Sequence, residues 1–599
     1  KTVGVGSQPT VVRSGRPHHK ERSPDWKGSF HLDRRALQET RPGMTTEGKG
    51  GSRRAMWLVG GIAVGSLGAI ALVVVVLTRP EPNSTAVEPP HYVEESAAAG
   101  IDHAYEGDFN FFVGGGVAVF DCDDDEKPDL YLAGGTNPAA LYRNQSPNGG
   151  VLSFAVIPDP STDLTMVTGA YPIDVDGDGR IDLAVLRFGE NVMLRGLGDC
   201  TFERANEAWG YEGGDDWTTA FSAKWEGSAP LPTLAFGNYL AEDGQQTGAC
   251  SDNVLVRSAG TTARYAPPTA LSPGWCTLSI LFSDWDRSGR GDLRVTNDRQ
   301  YYRDGEEQLW RVEEGQPPRL YTEDDGWESM QIFGMGIASQ DITGDGLPEV
   351  FLTSMGDNKL QTLAEGAAQP QYQDIAIGRG VTAHRPFTGD TTMPSTAWHA
   401  EFQDVNNDGF IDLFIAKGNV EAMVEAAAND PNNLLLGNQD GTFTESAEAA
   451  GLLSFARTRG AALADFNLDG MLDLVEVNRR ENVKLWRNVG WGEATEPRPM
   501  GNWIAVQLAQ TGPNRNAIGS WIELRFGDDT VHRESTIGGG HAGDQLGWIH
   551  FGLGAADTAE LRVHWPDGET GPWVAIDANR FATIERGATE AELWIPPQS

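Results

Sequence analysis

This sequence predicts an all-β fold: a seven-bladed β-propeller followed by a small β-sandwich, with one N-terminal transmembrane helix. Three observations carry that reading. A nine-residue acidic pattern recurs at nearly constant spacing. Short β-like apolar runs fall between clusters of Gly, Asp and Asn, and long helical patterns are scarce. A single uncharged apolar segment precedes all of this.

The repeated pattern is Asp-x-[Asp/Asn/Thr]-x-[Asp/Ser]-Gly-x-x-[Asp/Glu], with starts at Asp121, Asp174, Asp284, Asp341, Asp404 and Asp465. Successive starts lie 53, 110, 57, 63 and 61 residues apart. The 110-residue gap spans two periods, so one copy is missing near residue 229, where Trp217 to Tyr239 keeps the apolar strand pattern without the Asp run. A fixed long period marks a repeat architecture. Units of this length suit four-stranded blades, and closing seven of them into a ring protects the sheet edges.

Within each loop, oxygen-bearing side chains recur at positions 1, 3, 5 and 9. They are Asp121, Asp123, Asp125 and Asp129; Asp174, Asp176, Asp178 and Asp182; Asp284, Asp286, Ser288 and Asp292; Asp341, Thr343, Asp345 and Glu349; Asp404, Asn406, Asp408 and Asp412; and Asp465, Asn467, Asp469 and Asp473. Such a set can converge on one hard cation, with the position 7 carbonyl as a further donor and Gly at position 6 allowing the sharp turn. Position 7 is chemically scattered (Lys127, Arg180, Arg290, Leu347, Phe410, Met471), as expected if only its carbonyl is used. Position 2 is apolar throughout (Cys122, Val175, Trp285, Ile342, Val405, Phe466), as expected of a core anchor. Several carboxylates in a flexible loop favour Ca2+ over Mg2+, at up to six sites. An acidic hairpin turn without metal is the plainer alternative. The loops at Asp174, Asp404 and Asp465 fit best; Glu126 in place of Gly, Ser288, and the Thr343/Glu349 pair weaken the other three.

Charge divides the chain. Residues 1–55 carry 12 Lys/Arg against 5 Asp/Glu, whereas residues 80–599 carry 33 against 80. So acidic a body repels nucleic acid and suits cations or a basic soluble protein such as a cytochrome; an acidic solubilising surface is the bland alternative. Residues 56–78, from Met56 to Thr78, lack any charge and are long enough to span a bilayer. Arg53 and Arg54 place the basic arm on the cytoplasmic or matrix side. The bulk is then expected in the periplasm or the mitochondrial intermembrane space, anchored in an inner membrane by a single pass. Lys1 in place of Met suggests that a segment once preceded the numbering.

The expected organisation is an arm at 1–55, a transmembrane helix at 56–78, a Pro/Glu-rich linker at 79–98, the propeller at 99–495 and a β-domain at 496–599. All four cysteines lie in the exported part, where disulfides can form. Cys250 with Cys276 and Cys122 with Cys200 are the expected pairs, four free thiols the alternative.

The acidic loops, with Gly114-Gly-Gly-Val-Ala-Val119, Phe333-Gly-Met-Gly-Ile337 and Asn144 after Leu-Tyr-Arg, resemble FG-GAP/VCBS repeats, which also build integrin α-subunit propellers. Asn502-Trp-Ile-Ala-Val-Gln-Leu508, Asn514-Arg-Asn-Ala-Ile-Gly-Ser520, His550-Phe-Gly-Leu-Gly554 and Trp565-Pro-Asp-Gly568 resemble the ASPIC/UnbV module that follows such propellers in cartilage-acidic-protein-like proteins. The resemblance covers about residues 92 to 590. It implies the propeller fold and calcium binding but little about function.

No His-x-x-x-His, Gly-x-Ser-x-Gly, phosphate loop or Cys-x-x-Cys occurs, and Gly538-Gly-Gly-His541 reads as a Gly-rich turn, so the chain is expected not to be an enzyme. The leading expectation is an interaction or scaffold protein, an accessory subunit of a respiratory or photosynthetic membrane complex. Its arm, membrane helix and propeller faces would meet the other subunits, a partner being needed to order so polar an arm. The alternative is a carbohydrate- or matrix-binding adhesion module using exposed Trp residues.

Overall fold

The computed structural model describes residues 88–241, 249–298, 305–382, 396–420 and 431–597. The chain divides into two units, Lys1–Asn83 and Ser84–Ser599, and all the described residues belong to the second. The arm at 1–55 and the membrane span at 56–78 lie outside the described residues. Among the described residues no helix is long and apolar enough to cross a membrane.

Among the described residues from Tyr92 to Asn488 the chain builds seven antiparallel sheets of four strands, the first of which gains a short fifth strand from the C-terminal module. Their first strands are Val117–Phe120, Val167–Ile173, Thr218–Lys224, Thr277–Ser283, Gly334–Gln340, Ala397–Gln403 and Thr458–Ala464. Each is buried along almost all its length, and each packs on the first strand of the next sheet, the seventh returning to the first. Covered on both faces, these strands use near-continuous apolar and small residues rather than strict alternation. The architecture is propeller-like.

The seams between sheets carry a polar repeat that the sequence reading missed. Thr218 Oγ1 donates to Asn238 Oδ1 at 2.8 Å while accepting from Asn191 Nδ2 of the preceding sheet at 2.9 Å. Thr277 does the same between Asn297 and Asn253, and Thr458 between Asn478 and Asn432. Every member is buried, so a missing partner would leave a polar group stranded.

The expected linker contributes to the fold at its C-terminal end. Tyr92–Glu94 forms the outer strand of the seventh sheet, Tyr92 pairing with Asn488 and Glu94 with Trp486. Tyr92 is buried and its hydroxyl donates to Leu472 O, while Arg487 pairs with Glu95 at 2.9 Å. A boundary drawn at 98 on Pro/Glu content therefore falls too late. Both expected disulfides form, Cys122–Cys200 and Cys250–Cys276, which removes the free-thiol alternative.

The C-terminal module stacks two four-stranded sheets over one apolar core. One holds Ile549–Gly554, Asn502–Ala509, Arg580–Glu585 and Glu592–Trp594; the other holds Asp529–Glu534, Trp521–Phe526, Thr558–His564 and Val574–Asp577.

Candidate metal loops and the module seated on them

All six acidic loops join the first and second strands of their sheets, and position 9 is in every case the first residue of the second strand. The third sheet turns between Lys224 and Thr233 without the acidic pattern, where the missing copy was expected; its one acid, Glu226, pairs with Arg257 at 2.9 Å. Position 2 is buried in five loops and half-buried at Ile342.

One hydrogen-bond scheme shapes these loops. The position 1 carboxylate accepts the position 6 N–H in all six, at 2.7 Å for Glu126 and Gly470, 2.8 Å for Gly409, 2.9 Å for Gly289 and Gly346, and 3.0 Å for Gly179. Position 6 is left-handed throughout, φ running from 66° at Glu126 to 92° at Gly179, which explains the preference for Gly and marks Glu126 as the strained member. Position 4 is left-handed too, at Asp124, Gly177, Arg287, Gly344, Asn407 and Leu468, a regularity hidden by its mixed residue types. At position 5, Asp125, Asp178, Asp345, Asp408 and Asp469 accept the N–H of position 7.

Position 9 does more than face the loop. Asp129, Asp182, Asp412 and Asp473 each accept the position 2 N–H on one oxygen and, on the other, an N–H from the third strand, at Asn144, Gly196, Gly437 and Asn488. Glu349 reaches Ile342 N and Thr362 Oγ1, and Asp292 reaches Trp285 Nε1 and Val312 N. These acids tie each loop to its sheet.

The loops differ in the positive charge they receive. Oxygens of Asp121, Asp123 and Asp129, and of Asp174, Asp176 and Asp182, each converge within 4.8 Å. Arg143 contacts Asp123 in the first set, and Arg195 reaches Asp176 at 2.8 Å in the second. In the loop at Asp284, Arg290 turns back to Asp292 at 3.1 Å and Asp286 at 3.5 Å, standing where a cation would be needed. In the loop at Asp341, Thr343 Oγ1 donates to Glu349 at 3.1 Å and His532 Nδ1 lies 2.9 Å from Asp341 Oδ2. The loops at Asp404 and Asp465 have no ion pair among the described residues. There Asn406 Nδ2 donates to Asp408 at 2.9 Å, and Asn467 Oδ1 and Asp469 Oδ2 are buried without a partner.

Burial sets the electrostatics. It pushes Asp404, Asp412, Asp465 and Asp473 well above the usual carboxylate range, and repulsion among neighbouring acids adds to the shift. Asp182 is driven to about 8 and Asp121 to about 7 by the same burial. A bound divalent cation would let such groups ionise together. Stranded acceptors fit that chemistry at Asp469 and Asn467, and at Asp123 Oδ1 in the first loop. The donor set is less apt at Asp284 and Asp341, where Arg290, Thr343 and His532 already serve, although Asp284 Oδ1 too is buried without a partner.

Every loop meets the C-terminal module. Gln507 Nε2 and Trp548 Nε1 donate to Glu126, and Arg515 Nη1 to Gly177 O. Glu534 accepts the Asp284 N–H, and Arg287 stacks on Trp521 with its guanidinium 4.7 Å from the ring centroid. His532 reaches Asp341, His550 Nε2 lies 2.7 Å from Asn407 Oδ1, and Trp503 covers Leu468 and Gly470.

From this seat Ser535–Gln545 threads into the centre where the first strands meet. Ile537, Gly538, Gly540 and Gly543 bridge the third, fourth, fifth and second sheets in turn, and Asp544–Gln545 runs parallel to Val117–Phe120. A Cβ on Gly116 or Gly169 would collide with Ala542 O, so close approach explains those glycines. His541, fully buried, faces Gly114 N, Met335 O and the Trp398 ring. The Gly538-Gly-Gly-His541 stretch, expected as a Gly-rich turn, is therefore the core of a plug.

The family comparisons bear on the same elements. A model described as FG-GAP-like repeat matches residues 121–185 and 404–476, and one described as ASPIC and UnbV matches 510–591. The two FG-GAP-like segments contain the loops at Asp121, Asp174, Asp404 and Asp465. Mouse cartilage acidic protein 1 is 23% identical over 483 residues, covering 76% of this chain and 70% of that protein. The Xenopus tropicalis protein of the same name is 25% identical over 247 residues, 41% of this chain and 35% of its own length. A solved Agrocybe aegerita lectin recognising non-reducing terminal N-acetylglucosamine is 15% identical with a TM-score of 0.35, covering 60% of this chain and 88% of that one. The chain thus bears FG-GAP-like repeats and an ASPIC and UnbV domain, with weak homology to cartilage acidic protein 1.

Proposed function

We propose that this chain is a seven-bladed, calcium-stapled propeller acting outside the cytoplasm as an interaction or adhesion module. The contact of all six acidic loops with the C-terminal module carries the reading. Ca2+ held at Asp404 and Asp465, and at Asp121 and Asp174 where Arg143 and Arg195 supply only part of the charge, would balance their buried acids and fix the surface on which the module rests. Calcium is then a staple for the platform, and partners bind the remaining faces. The FG-GAP-like repeats and the cartilage acidic protein relatives favour an extracellular matrix or carbohydrate partner. The accessory-subunit expectation has no support from the fold or the relatives, and the membrane span it relied on lies outside the described residues.

The test tracks hydrogen exchange of the full chain with Ca2+ and with EDTA, alongside binding to immobilised matrix glycans in high salt. Chelation should raise exchange together in the four loops and in Asn502–Ala509, and should release the glycan. Unchanged exchange at the module on chelation would remove the staple. Glycan binding indifferent to EDTA would remove the calcium-dependent adhesion.

A further inference from the structure

Between the plug and the module lies a cavity of about 280 Å³. Inner-strand residues Ser339, His399 and Glu401 line it from below; Arg533, Glu534 and Asp544 line it from above. Its rim reaches the exposed Asp124 and Gly547.

The acceptors on its inner walls are already engaged. Glu401 accepts from Gln403 Nε2, Gln545 Nε2 and Leu463 N. Glu534 accepts from Ser283 Oγ and Asp284 N, and Asp544 from Gly538 N and Gln545 N. Several of its donors are not. Arg533 spends Nη1 on Gln403 Oε1 at 2.9 Å and His550 O at 3.4 Å, leaving Nε and Nη2 without a hydrogen bond among the described residues. His399 Nδ1 accepts the His541 N–H at 3.2 Å, which puts its proton on Nε2. That Nε2 is buried, has no hydrogen-bond partner and stands 3.6 Å from Glu401 Oε2. Ser339 Oγ is likewise buried and unpartnered.

We infer that this cavity binds a small organic monocarboxylate, its two oxygens on the free edge of Arg533 and its flanks met by His399 Nε2–H and the Ser339 hydroxyl. A planar guanidinium edge matches a carboxylate in bidentate fashion. Glu401, Glu534 and Asp544 on the same walls, with Asp121, Asp124 and Glu126 nearer the rim, disfavour a dianion such as phosphate and leave the Arg533 edge to pair with a single carboxylate. The volume, roughly nine waters at ~30 Å³ each, limits the ligand to a short chain.

Titration calorimetry of the full, calcium-loaded chain with propionate and with inorganic phosphate tests the site. Propionate should bind and phosphate should not. Arg533→Gln should weaken propionate about tenfold or more, and Ser339→Ala by a smaller factor. Crystals soaked in propionate should show it against Arg533, a readout that survives if Arg533→Gln fails to fold. No propionate heat and only water in the soaked cavity would overturn the inference, as would phosphate binding as tightly as propionate or unchanged binding in a folded Arg533→Gln protein.

Discussion

The loops at Asp284 and Asp465 share one turn scheme and meet the same module, but they find positive charge in different ways. The first folds its own position 7 side chain, Arg290, back onto Asp292 and Asp286, while Asp284 Oδ1 stays buried without a partner. The second has Met471 at that position and leaves Asp469 Oδ2 and Asn467 Oδ1 buried and unpartnered. One scaffold can thus be neutralised internally or left to a cation from solution. The outcome is decided by side chains outside the nine-residue ligand positions. Arg143 and Arg195, on the third strands of their sheets, lie against the loop acids, whereas the corresponding Arg487 is drawn away to Glu95 and the corresponding Leu436 carries no charge.

The largest expected effect that tests this contrast is chelation. A loop saturated a thousandfold above its Kd contributes about 4 kcal/mol, so EDTA should lower the urea midpoint of the full chain sharply. Asp469→Asn together with Asn467→Ala should shrink that shift, while Ser288→Ala should leave it unchanged. Equal responses from both loops would erase the distinction between them.

Arg290→Met is next, with an expected loss of about 2 to 3 kcal/mol in urea unfolding, because Asp292 is fully buried and loses its cation. Adding Ser288→Asp should make that loop respond to Ca2+ and regain part of the loss.

Paired glycine substitutions come third. Gly289 has φ 80° with nothing within 4 Å of an added Cβ, so Gly289→Ala should cost about 1 kcal/mol from conformation alone. Gly470 has φ 82° but its Cβ would run into the Trp503 indole, so Gly470→Ala should cost about 3 kcal/mol and loosen the module. Similar losses in the two would mean that the module does not bear on the Asp465 loop.

The last effect is with pH, read through His541, which lies in neither loop. Burial lowers His541 to about 3 from an ordinary 6.5. The unfolded chain therefore takes up that proton first, so the share of stability held by neutral His541 above pH 6.5 falls as pH drops toward 3, by up to about 1.4 kcal/mol per unit. His541→Gln should flatten this slope in a urea series from pH 7 to pH 5 without changing the EDTA shift at pH 7.

Much of the fold was legible because it depends on local chemistry. The Asp spacing located six turns, the apolar position 2 located their anchors, and the missing copy located the third sheet. Gly at position 6 announced a left-handed residue; position 4 did not, because Asp, Arg, Asn and Leu conceal the same conformation. Tyr92–Glu94 was lost in Pro/Glu-rich surroundings, since its pairing with Lys484–Asn488 bridges nearly the whole repeat region. The Asn–Thr–Asn seams lay in plain view, but hydroxyls and amides at strand ends signal nothing until two sheets bring them together.

By itself the sequence determined the all-β repeat, the position of each acidic turn and the separate C-terminal module. Each is written in residues a few places apart, whose sterics and hydrogen bonding act within one turn or strand. Only the tertiary structure decided which turns are already neutralised, that the module rests on all six, and that Gly538-Gly-Gly-His541 fills the centre. Those outcomes depend on charges and backbone atoms hundreds of residues apart, and their balance exists only once burial has removed the water between them.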